Sequence, residues 1–190
     1  MNMKNQIETE RLILLPGENA RDNDAFLIML KQDGDFRLFS GVDYSDLNLS
    51  GFDGYLERDF LYAVYRKNEP NELLGYVGIA LQHERYEAEF YMKKSERQKG
   101  YCEEALKALC RTAFAGNLVR SDEKEKRDRL FLNEIYATTI DENVPAKKLL
   151  QKSGFAVSNT GAKLIFQIMC NPVTGRMYEN HIAEYVLEKP

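Results

Sequence analysis

The residues whose types and spacing could do chemistry lie between Tyr86 and Phe114. A short polar loop with one glycine, Gly100, and two basic residues, Arg97 and Lys99, separates an alternating segment from a helical one. The first N–H groups of a helix have no intrahelical partner and lie at the positive end of its dipole, where a phosphate is stabilised. Glycine lets a ligand approach the backbone closely. The loop therefore suggests a phosphate-bearing ligand, against the alternative of an ordinary turn with surface charges.

A strand and a helix must position this loop. The strand pattern is an alternation whose two faces are Ala88, Phe90 and Met92 on one side and Glu87, Glu89 and Tyr91 on the other. The helix pattern is an apolar stripe made of Cys102, Ala105, Leu106, Leu109, Cys110 and Ala113. These spacings are those of a β-strand and an amphipathic α-helix. The two common phosphate-loop motifs, Gly-x-x-x-x-Gly-Lys-Ser/Thr and Gly-x-Gly-x-x-Gly after a strand, are absent.

Composition restricts the class of protein. The chain has 190 residues, of which 44% are hydrophobic and 29% charged, as expected for one globular domain over residues 1–190. Its net charge of −4 argues against nucleic acid or an anionic membrane surface as the main partner. No apolar run approaches the roughly 20 residues that span a bilayer, and no apolar segment follows the N-terminus as in a signal peptide.

The three cysteines, Cys102, Cys110 and Cys170, have no metal-ligand spacing, so no metal site is predicted. Cys102 and Cys110 lie on the apolar stripe of the helix and are predicted as buried thiols. Such thiols suit a reducing compartment, and a cytoplasmic location is expected.

The remaining elements indicate an α/β (α+β) fold. A helix through Leu30, capped by Asp22 or Asp24, follows the first strand. The predicted strands are Glu8 to Pro16, Leu61 to Tyr65, Leu73 to Leu81, Glu87 to Met92, Leu132 to Thr138, Lys163 to Met169 and Ile182 to Leu187. Short connections make most neighbours antiparallel, whereas the helix between the fourth and fifth strands makes that pair parallel. The prediction is a mixed, mostly antiparallel central sheet with flanking helices.

Two segments are irregular. Residues 33–54 carry glycines, acidic residues and aromatics, and are either a solvated connection or a rim of an acceptor site. Residues 116–129 mix basic and acidic side chains with few apolar ones, which is typical of a solvated insertion.

The loop sequence, Arg97-Gln98-Lys99-Gly100-Tyr101-Cys102, resembles the Gln/Arg-x-x-Gly-x-Gly/Ala signature of the GNAT superfamily of acetyl-CoA-dependent N-acetyltransferases. The resemblance implies that amides of this loop hold the pyrophosphate of CoA and that these six residues bind the cofactor. Cys102 departs from the usual Gly or Ala, and Gln98 stands where close relatives often have Gly. The opening strand also resembles that of the ribosomal-protein-alanine N-acetyltransferase branch.

A second stretch resembles the other hallmark of the family, an Asn before a helix that ends in Lys-x-Gly-Phe. The matching residues are Asn143, Leu150, Lys152, Gly154 and Phe155. By resemblance, Asn143 contacts the pantetheine arm and Lys152 belongs to the cofactor-binding set. Ala146 replaces a Ser that often lies near the thioester, and Leu150 replaces a Tyr that often protonates the departing thiolate. The general acid is therefore unassigned.

The resemblance implies transfer of an acetyl group from acetyl-CoA, without a metal, to a primary amine on a protein N-terminus or a small molecule. Glu87 aligns with a glutamate of relatives and is the candidate general base, with Glu89 able to share that role; a surface strand carboxylate is the alternative for Glu87. Asn143 completes the candidate catalytic set, and a backbone N–H near Met92 polarises the carbonyl. A non-catalytic acyl-CoA-binding or regulatory module is the competing function, and a homodimer is left open.

Overall fold

One open sheet with helices on its faces forms the molecule. The computed structural model describes residues 5–17, 23–34, 60–82, 84–118, 130–158, 165–170 and 174–190. In chain order the elements are β1 (Ile7–Glu8), β2 (Leu12–Pro16), α1 (Asn23–Gln32), β3 (Leu61–Arg66), β4 (Leu73–Gln82), β5 (Arg85–Met92), a 3₁₀ turn (Lys94–Glu96), α2 (Tyr101–Phe114), β6 (Glu134–Ile140), α3 (Val144–Lys152), β7 (Ala156–Val157), β8 (Ile165–Cys170) and β9 (Met177–Glu188).

The strands lie side by side in the order β1-β2-β3-β4-β5-β6-β9-β7, and β8 also pairs with β9. Among the described strands, β5 and β6 are parallel and all other neighbours are antiparallel. The predicted mixed, mostly antiparallel sheet with one parallel pair is therefore confirmed.

The prediction of one continuous first strand is wrong. The chain turns back between β1 and β2, which pair antiparallel with Ile7 opposite Leu14. Thr9 makes this turn possible, because its N–H donates to the Leu12 carbonyl at 3.0 Å and its hydroxyl accepts from the Leu12 N–H at 2.9 Å. A side chain that bonds to nearby backbone competes with a strand ladder in this way.

The other predicted elements are present with shifted ends. β6 begins and ends two residues later than predicted, and β9 begins at Met177 rather than Ile182. The longer β9 pairs with β8 through its first half and with β6 through its second half, which extends the strand beyond its apolar residues. Neighbouring strands thus lengthen an element whose own pattern is short.

The two faces of β5 contribute to two separate apolar clusters. Ala88 and Met92 belong to the cluster that contains Leu106 and Leu109 of α2 and Leu150 of α3. On the opposite face, Tyr91 belongs to the cluster that contains Met29 and Leu30 of α1. Successive side chains of a strand point to opposite faces, so α2 and α3 cover one side of the sheet and α1 covers the other.

The parallel pair is joined at one place only. Glu87 of β5 lies opposite Tyr136 of β6, and no further residue pair joins these two strands in the described sheet. By contrast β4 accompanies β5 along its whole length, from Gln82 opposite Arg85 to Gly75 opposite Met92. The second half of β5 therefore has a partner on one edge and a gap on the other.

Most of the irregular segment at 33–54 and of the charged segment at 116–129 lies outside the described residues, as does the side chain of Cys170. Within the described part, no helix is long and apolar enough to cross a membrane. The single domain, the cytoplasmic location and the assembly state stay predictions.

Candidate active site

Backbone N–H groups of β5 point into the gap beside this strand. The N–H of Lys93 donates to the Leu74 carbonyl of β4 at 2.7 Å, which fixes the direction of the groups around it. Along an antiparallel strand the backbone groups of successive residues alternate between the two edges. The N–H groups of Met92 and Phe90 therefore point away from β4 and into the gap.

Helix α2 begins beside this gap at Gly100. Gly100 is its N-cap residue, has a left-handed backbone with φ of 81°, and gives the helix no side-chain cap. A left-handed backbone favours glycine. An added Cβ would lie 3.3 Å from the Nη2 atom of Arg11. The first N–H groups of α2 are therefore left without a side-chain acceptor of the N-cap residue, as an anion site requires.

Arg97, the first residue of the loop signature, points inward. Its Nε donates to the carbonyl of Met92 at 3.0 Å, and its guanidinium also pairs with Asp33 at the end of α1. Asp33 is 5% exposed and accepts a further hydrogen bond of 2.7 Å from the Tyr91 hydroxyl. Burial, followed by the bond to Asp33, raises the pKa of Tyr91 above its usual value. Arg97 thus ties the open edge of β5 to α1.

Lys99, the second basic residue of the loop, pairs with Glu96 at 3.1 Å. Glu96 is buried in the 3₁₀ turn and also pairs with Arg66 from the end of β3. Although burial opposes ionisation, the hydrogen bonds from Arg66 and Lys99 outweigh it and lower the pKa of Glu96. The loop is therefore held to β3 through a buried carboxylate.

Arg11 reaches the same loop from the turn before β2. Its Nε donates to Glu104 at 2.6 Å, and its Nη1 donates to the Lys99 carbonyl at 3.1 Å. Glu104, in the first turn of α2, also accepts from the Thr9 hydroxyl and from the Arg11 backbone N–H. The guanidinium lies 4.6 Å from the ring centre of Tyr101. Burial opposes ionisation of Glu104, but these hydrogen bonds prevail and lower its pKa.

Glu87 lies at the closed end of β5 and is 4% exposed, so the alternative of a surface strand carboxylate is wrong. One of its oxygens accepts from Arg85 Nε at 2.8 Å and the other from the Thr138 hydroxyl at 3.1 Å. Arg85 also pairs with Glu184 of β9 and lies 4.7 Å from the ring centre of Tyr136. This group of side chains crosses from β5 over β6 to β9.

Glu89 lies on the same face two residues nearer the open end. It is half-buried, and it accepts a hydrogen bond of 2.7 Å from the Gln82 amide. At about 3.3 Å per residue, Glu89 lies about 10 Å along the strand from Met92, and Glu87 about 17 Å. The two candidate bases therefore differ in exposure and in distance from the gap.

Asn143 and Lys152 lie at opposite ends of α3. Asn143 caps the helix, because its Oδ1 accepts from the Ala146 N–H at 3.2 Å. Lys152 is exposed in the last turn, and the nearby Gly154 faces Leu187, which pairs with Ile135 near the start of β6. Asn143 follows the end of β6, on the same side as Met92. The structure thus brings Asn143 to the gap and leaves Lys152 at the far end of the helix.

The remaining loop residues differ in exposure. Gln98 is exposed and has a left-handed φ of 64°, at the position where the family signature often has Gly. Cys110 is buried as predicted, whereas Cys102 is partly exposed. Burial raises the pKa of both thiols to about 12, which opposes the lowering expected near a helix start. The raised pKa disfavours the thiolate form of both residues.

Several site residues could not be found from the sequence patterns. Asp33, Arg11 and Arg85 reach partners up to 99 positions away along the chain. No local spacing predicts such contacts. The position of Arg11, directly before an apolar strand, is the one local feature that indicates a contact with another element. Within the described part of the chain, no group of three or more His, Cys, Asp or Glu residues is placed to hold a metal.

The structure thus combines a parallel strand pair that is joined at Glu87–Tyr136 with a helix whose N-cap residue is a left-handed glycine. The sequence model of the acetyltransferase (GNAT) domain matches residues 11–156, well over half of the chain. The chain therefore belongs to the GNAT acetyltransferases, which use acetyl-CoA as acetyl donor.

Solved structures support the same fold. A GNAT-family acetyltransferase from Bacillus anthracis is similar with a TM-score of 0.67 and 17% identity, covering 96% of this chain and 98% of that one. RimL, a ribosomal α-N-protein acetyltransferase in complex with CoA, has a TM-score of 0.64 and 11% identity, covering 96% and 97%. The Microcin C7 self-immunity acetyltransferase MccE, in complex with acetyl-CoA and AMP, has a TM-score of 0.61 and 12% identity, covering 94% of each chain. A comparison with curated protein sequences gave no significant match.

Proposed function

We propose that this chain transfers the acetyl group of acetyl-CoA to a primary amine, on a protein N-terminus or a small molecule, by direct attack of the amine. The carbonyl of the thioester lies in the gap between β5 and β6, where the N–H of Met92 polarises it. The CoA pyrophosphate lies at the start of α2, on the amides that follow Gly100. Asn143 donates its side-chain amide to the pantetheine arm.

One observation carries this proposal. β5 leaves β6 after the pair Glu87–Tyr136, so the N–H groups of Phe90 and Met92 face a gap rather than a strand. Backbone donors that are already in place cost no reorganisation when negative charge develops on a carbonyl oxygen, which is the basis of oxyanion stabilisation. The carbonyl of Met92 is itself held by Arg97, so this part of the strand is fixed.

The amine must lose a proton before it attacks, and a carboxylate is the available kind of base. Glu89 fits this role better than Glu87, because Glu89 lies nearer the gap and is half-buried. Glu87 is 4% exposed, and its two oxygens already accept from Arg85 and from Thr138, so an amine reaches it less readily than Glu89. We therefore assign the base to Glu89 and a supporting role to Glu87.

No side chain is assigned as the acid that protonates the departing thiolate. Leu150, at the place of a Tyr in many relatives, is fully buried in the core. Tyr91 donates to Asp33 and has a raised pKa, which makes it a poor proton donor to a leaving group. A CoA thiolate is a good leaving group that water can protonate, so catalysis does not require a side-chain acid here.

Release of free thiol from acetyl-CoA, measured over a panel of peptides with free N-termini and small amines, tests the proposal. We expect Glu89→Gln to lower kcat by about 10²–10⁴-fold at pH 7, the usual worth of a general base, with partial recovery as pH rises. Glu87→Gln should lower kcat less and reduce thermal stability, because it removes a buried charge partner of Arg85. Glu188→Gln, a change at the exposed end of β9, is the matched control.

Calorimetric binding of acetyl-CoA should stay within about twofold in all three variants, because the changed groups lie away from the phosphates. Full activity of the Glu87→Gln/Glu89→Gln double variant would remove both carboxylates from the mechanism. Tight acetyl-CoA binding without acetylation of any amine would instead support the non-catalytic module, which the departures at Ala146 and Leu150 motivate.

A further inference from the structure

The two basic residues of the loop, Arg97 and Lys99, both form ion pairs within the protein. Arg97 pairs with Asp33 and with the Met92 carbonyl, and Lys99 pairs with the buried Glu96. A ligand phosphate at the start of α2 would have to compete with these carboxylates for either cation.

Arg11 is a cation at the same place whose guanidinium is only partly used. An arginine side chain carries five N–H donors. Within the described part of the chain, Nε donates to Glu104 and Nη1 to the Lys99 carbonyl, and Nη2 has no hydrogen bond. Nη2 is the atom nearest to the point where a Cβ of Gly100 would lie, at 3.3 Å. The side chain is 44% exposed, so this edge of the guanidinium is open to a ligand.

The same contacts hold the guanidinium in one orientation. Glu104 fixes the Nε side, the Lys99 carbonyl fixes Nη1, and the ring of Tyr101 supports the plane at 4.6 Å. Glu104 is itself bonded by the Thr9 hydroxyl at 2.5 Å and by the Arg11 N–H at 2.9 Å. A group that is ordered before the ligand arrives loses little conformational entropy on binding.

We propose that Arg11 is a phosphate-binding residue of this enzyme and that its Nη2 edge donates to the pyrophosphate of acetyl-CoA beside Gly100. The inference rests on the proposed placement of CoA at the start of α2. A planar guanidinium suits phosphate oxygens, and a hydrogen bond between two charged groups is stronger than a neutral one. Glu104 and the Lys99 carbonyl hold the guanidinium at the helix start through Nε and Nη1, and Nη2 is the nitrogen that these bonds leave for a ligand.

Four donors that differ in their phosphates test this role. They are acetyl-CoA, 3′-dephospho-acetyl-CoA, S-acetyl-4′-phosphopantetheine and S-acetylpantetheine, and affinity is measured by calorimetry at fixed salt. Arg11→Ala should weaken acetyl-CoA binding by about 10–100-fold, the range for one charge-assisted contact. The loss should be the same for the 3′-dephospho form, which keeps the pyrophosphate. The affinity for S-acetylpantetheine, which has no phosphate, should change by no more than about twofold.

Arg111→Ala is the matched control, because it removes the same charge from the exposed last turn of α2. It should leave all four affinities within about twofold. Arg11→Lys keeps the charge without the planar fork, and should lose less acetyl-CoA affinity than Arg11→Ala. If Arg11→Ala fails to fold, the lysine variant decides the question through the same four donors, and its loss should again be confined to donors that carry the pyrophosphate.

Three results separate the claims. Equal weakening of acetyl-CoA and S-acetylpantetheine in the Arg11 variants would show that Arg11 only holds the turn before β2 against α2, and would overturn the inference. Unchanged acetyl-CoA affinity in a folded Arg11→Ala protein would overturn it as well, and would leave the proposed function standing. Absence of acetyl-CoA binding by the unaltered protein would reject the proposed function itself, and the inference with it.

Discussion

Helices α2 and α3 each follow one strand of the parallel pair, and their starts are built differently. Helix α3 begins at Asn143, whose side chain accepts from the Ala146 N–H and caps the helix. Helix α2 begins at Gly100, which has no side chain to cap with and a left-handed backbone. The N-cap side chain of α3 therefore satisfies one of its first amides, whereas the N-cap residue of α2 supplies no such acceptor.

The surroundings of the two starts agree with this difference. Around α2, Glu104 and Glu96 hold Arg11 and Lys99 beside the loop, so positive groups gather there in fixed positions. Around α3, the nearby ion pair is Lys147 with Asp141, which is exposed on the surface. In the proposed function these differences, and not the dipole that both helices share, favour the start of α2 as the phosphate site.

The largest effect on the difference between the two helix starts is expected from Gly100→Val, which should weaken acetyl-CoA binding at α2. A β-branched residue is strained at a φ of 81°, and its side chain would lie where the pyrophosphate approaches. Acetyl-CoA affinity should fall by about 100-fold or more, because at least two charge-assisted hydrogen bonds worth about 1.5–3 kcal/mol each would be lost. Calorimetry with the folded variant measures this loss.

Gly175→Val is the control for that experiment. Gly175 also has a left-handed backbone, with φ of 66°, and an added Cβ would meet nothing within 4 Å. Gly175→Val should lower the free energy of unfolding about as much as Gly100→Val does, and it should leave acetyl-CoA affinity unaltered. If both variants bound acetyl-CoA equally well, the loop beside Gly100 could not be the pyrophosphate site.

A smaller effect is expected at Asn143, where two substitutions separate capping from ligand binding. Asn143→Ala removes the cap and should reduce the free energy of unfolding by about 1 kcal/mol, as measured in urea. Asn143→Asp keeps a capping oxygen and should preserve stability, but it lacks amide donors and should raise the KM for acetyl-CoA. An aspartate variant with unchanged KM would limit Asn143 to the capping role.

The smallest effect is expected from Gln98→Gly. Gln98 adopts a left-handed φ of 64°, which costs a non-glycine residue about 1–3 kcal/mol. Glycine removes this strain but gains freedom in the unfolded chain worth about 0.4–1 kcal/mol. The net result should be a modest rise in melting temperature with acetyl-CoA affinity within about twofold. A clear fall in melting temperature would show that the Gln98 side chain stabilises the loop.

Local patterns predicted the elements around the site well. The alternation before the loop and the stripe from Ala105 to Ala113 are properties of consecutive residues, and the buried face of α2 follows that stripe. The parallel pairing of β5 with β6 follows from the helix between them. The turn at Thr9 was missed because a single side-chain hydrogen bond interrupts an otherwise regular apolar strand.

Charged side chains were predicted less well, because their partners come from distant parts of the chain. The sequence predicts Arg97 as a basic residue beside a phosphate. In the structure it pairs with Asp33, which the sequence places in the irregular segment 33–54. The burial of Glu87 likewise depends on Arg85 and on Thr138 from the neighbouring strand. Which of several nearby carboxylates an arginine selects is decided by the packed fold, and no sequence period carries that information.

The separation of β5 from β6 has one further consequence, for the solubility of the protein. Unpaired strand edges at the rim of a sheet invite strands of other molecules and lead to aggregation. Here the part of β5 that faces the gap lies in the interior of the sheet, with β4 paired on one edge and β6 beyond the gap on the other. A strand of a second molecule cannot add there by simple edge-to-edge pairing. The N–H groups of Phe90 and Met92 therefore face the gap without forming an additional edge at the rim of the described sheet.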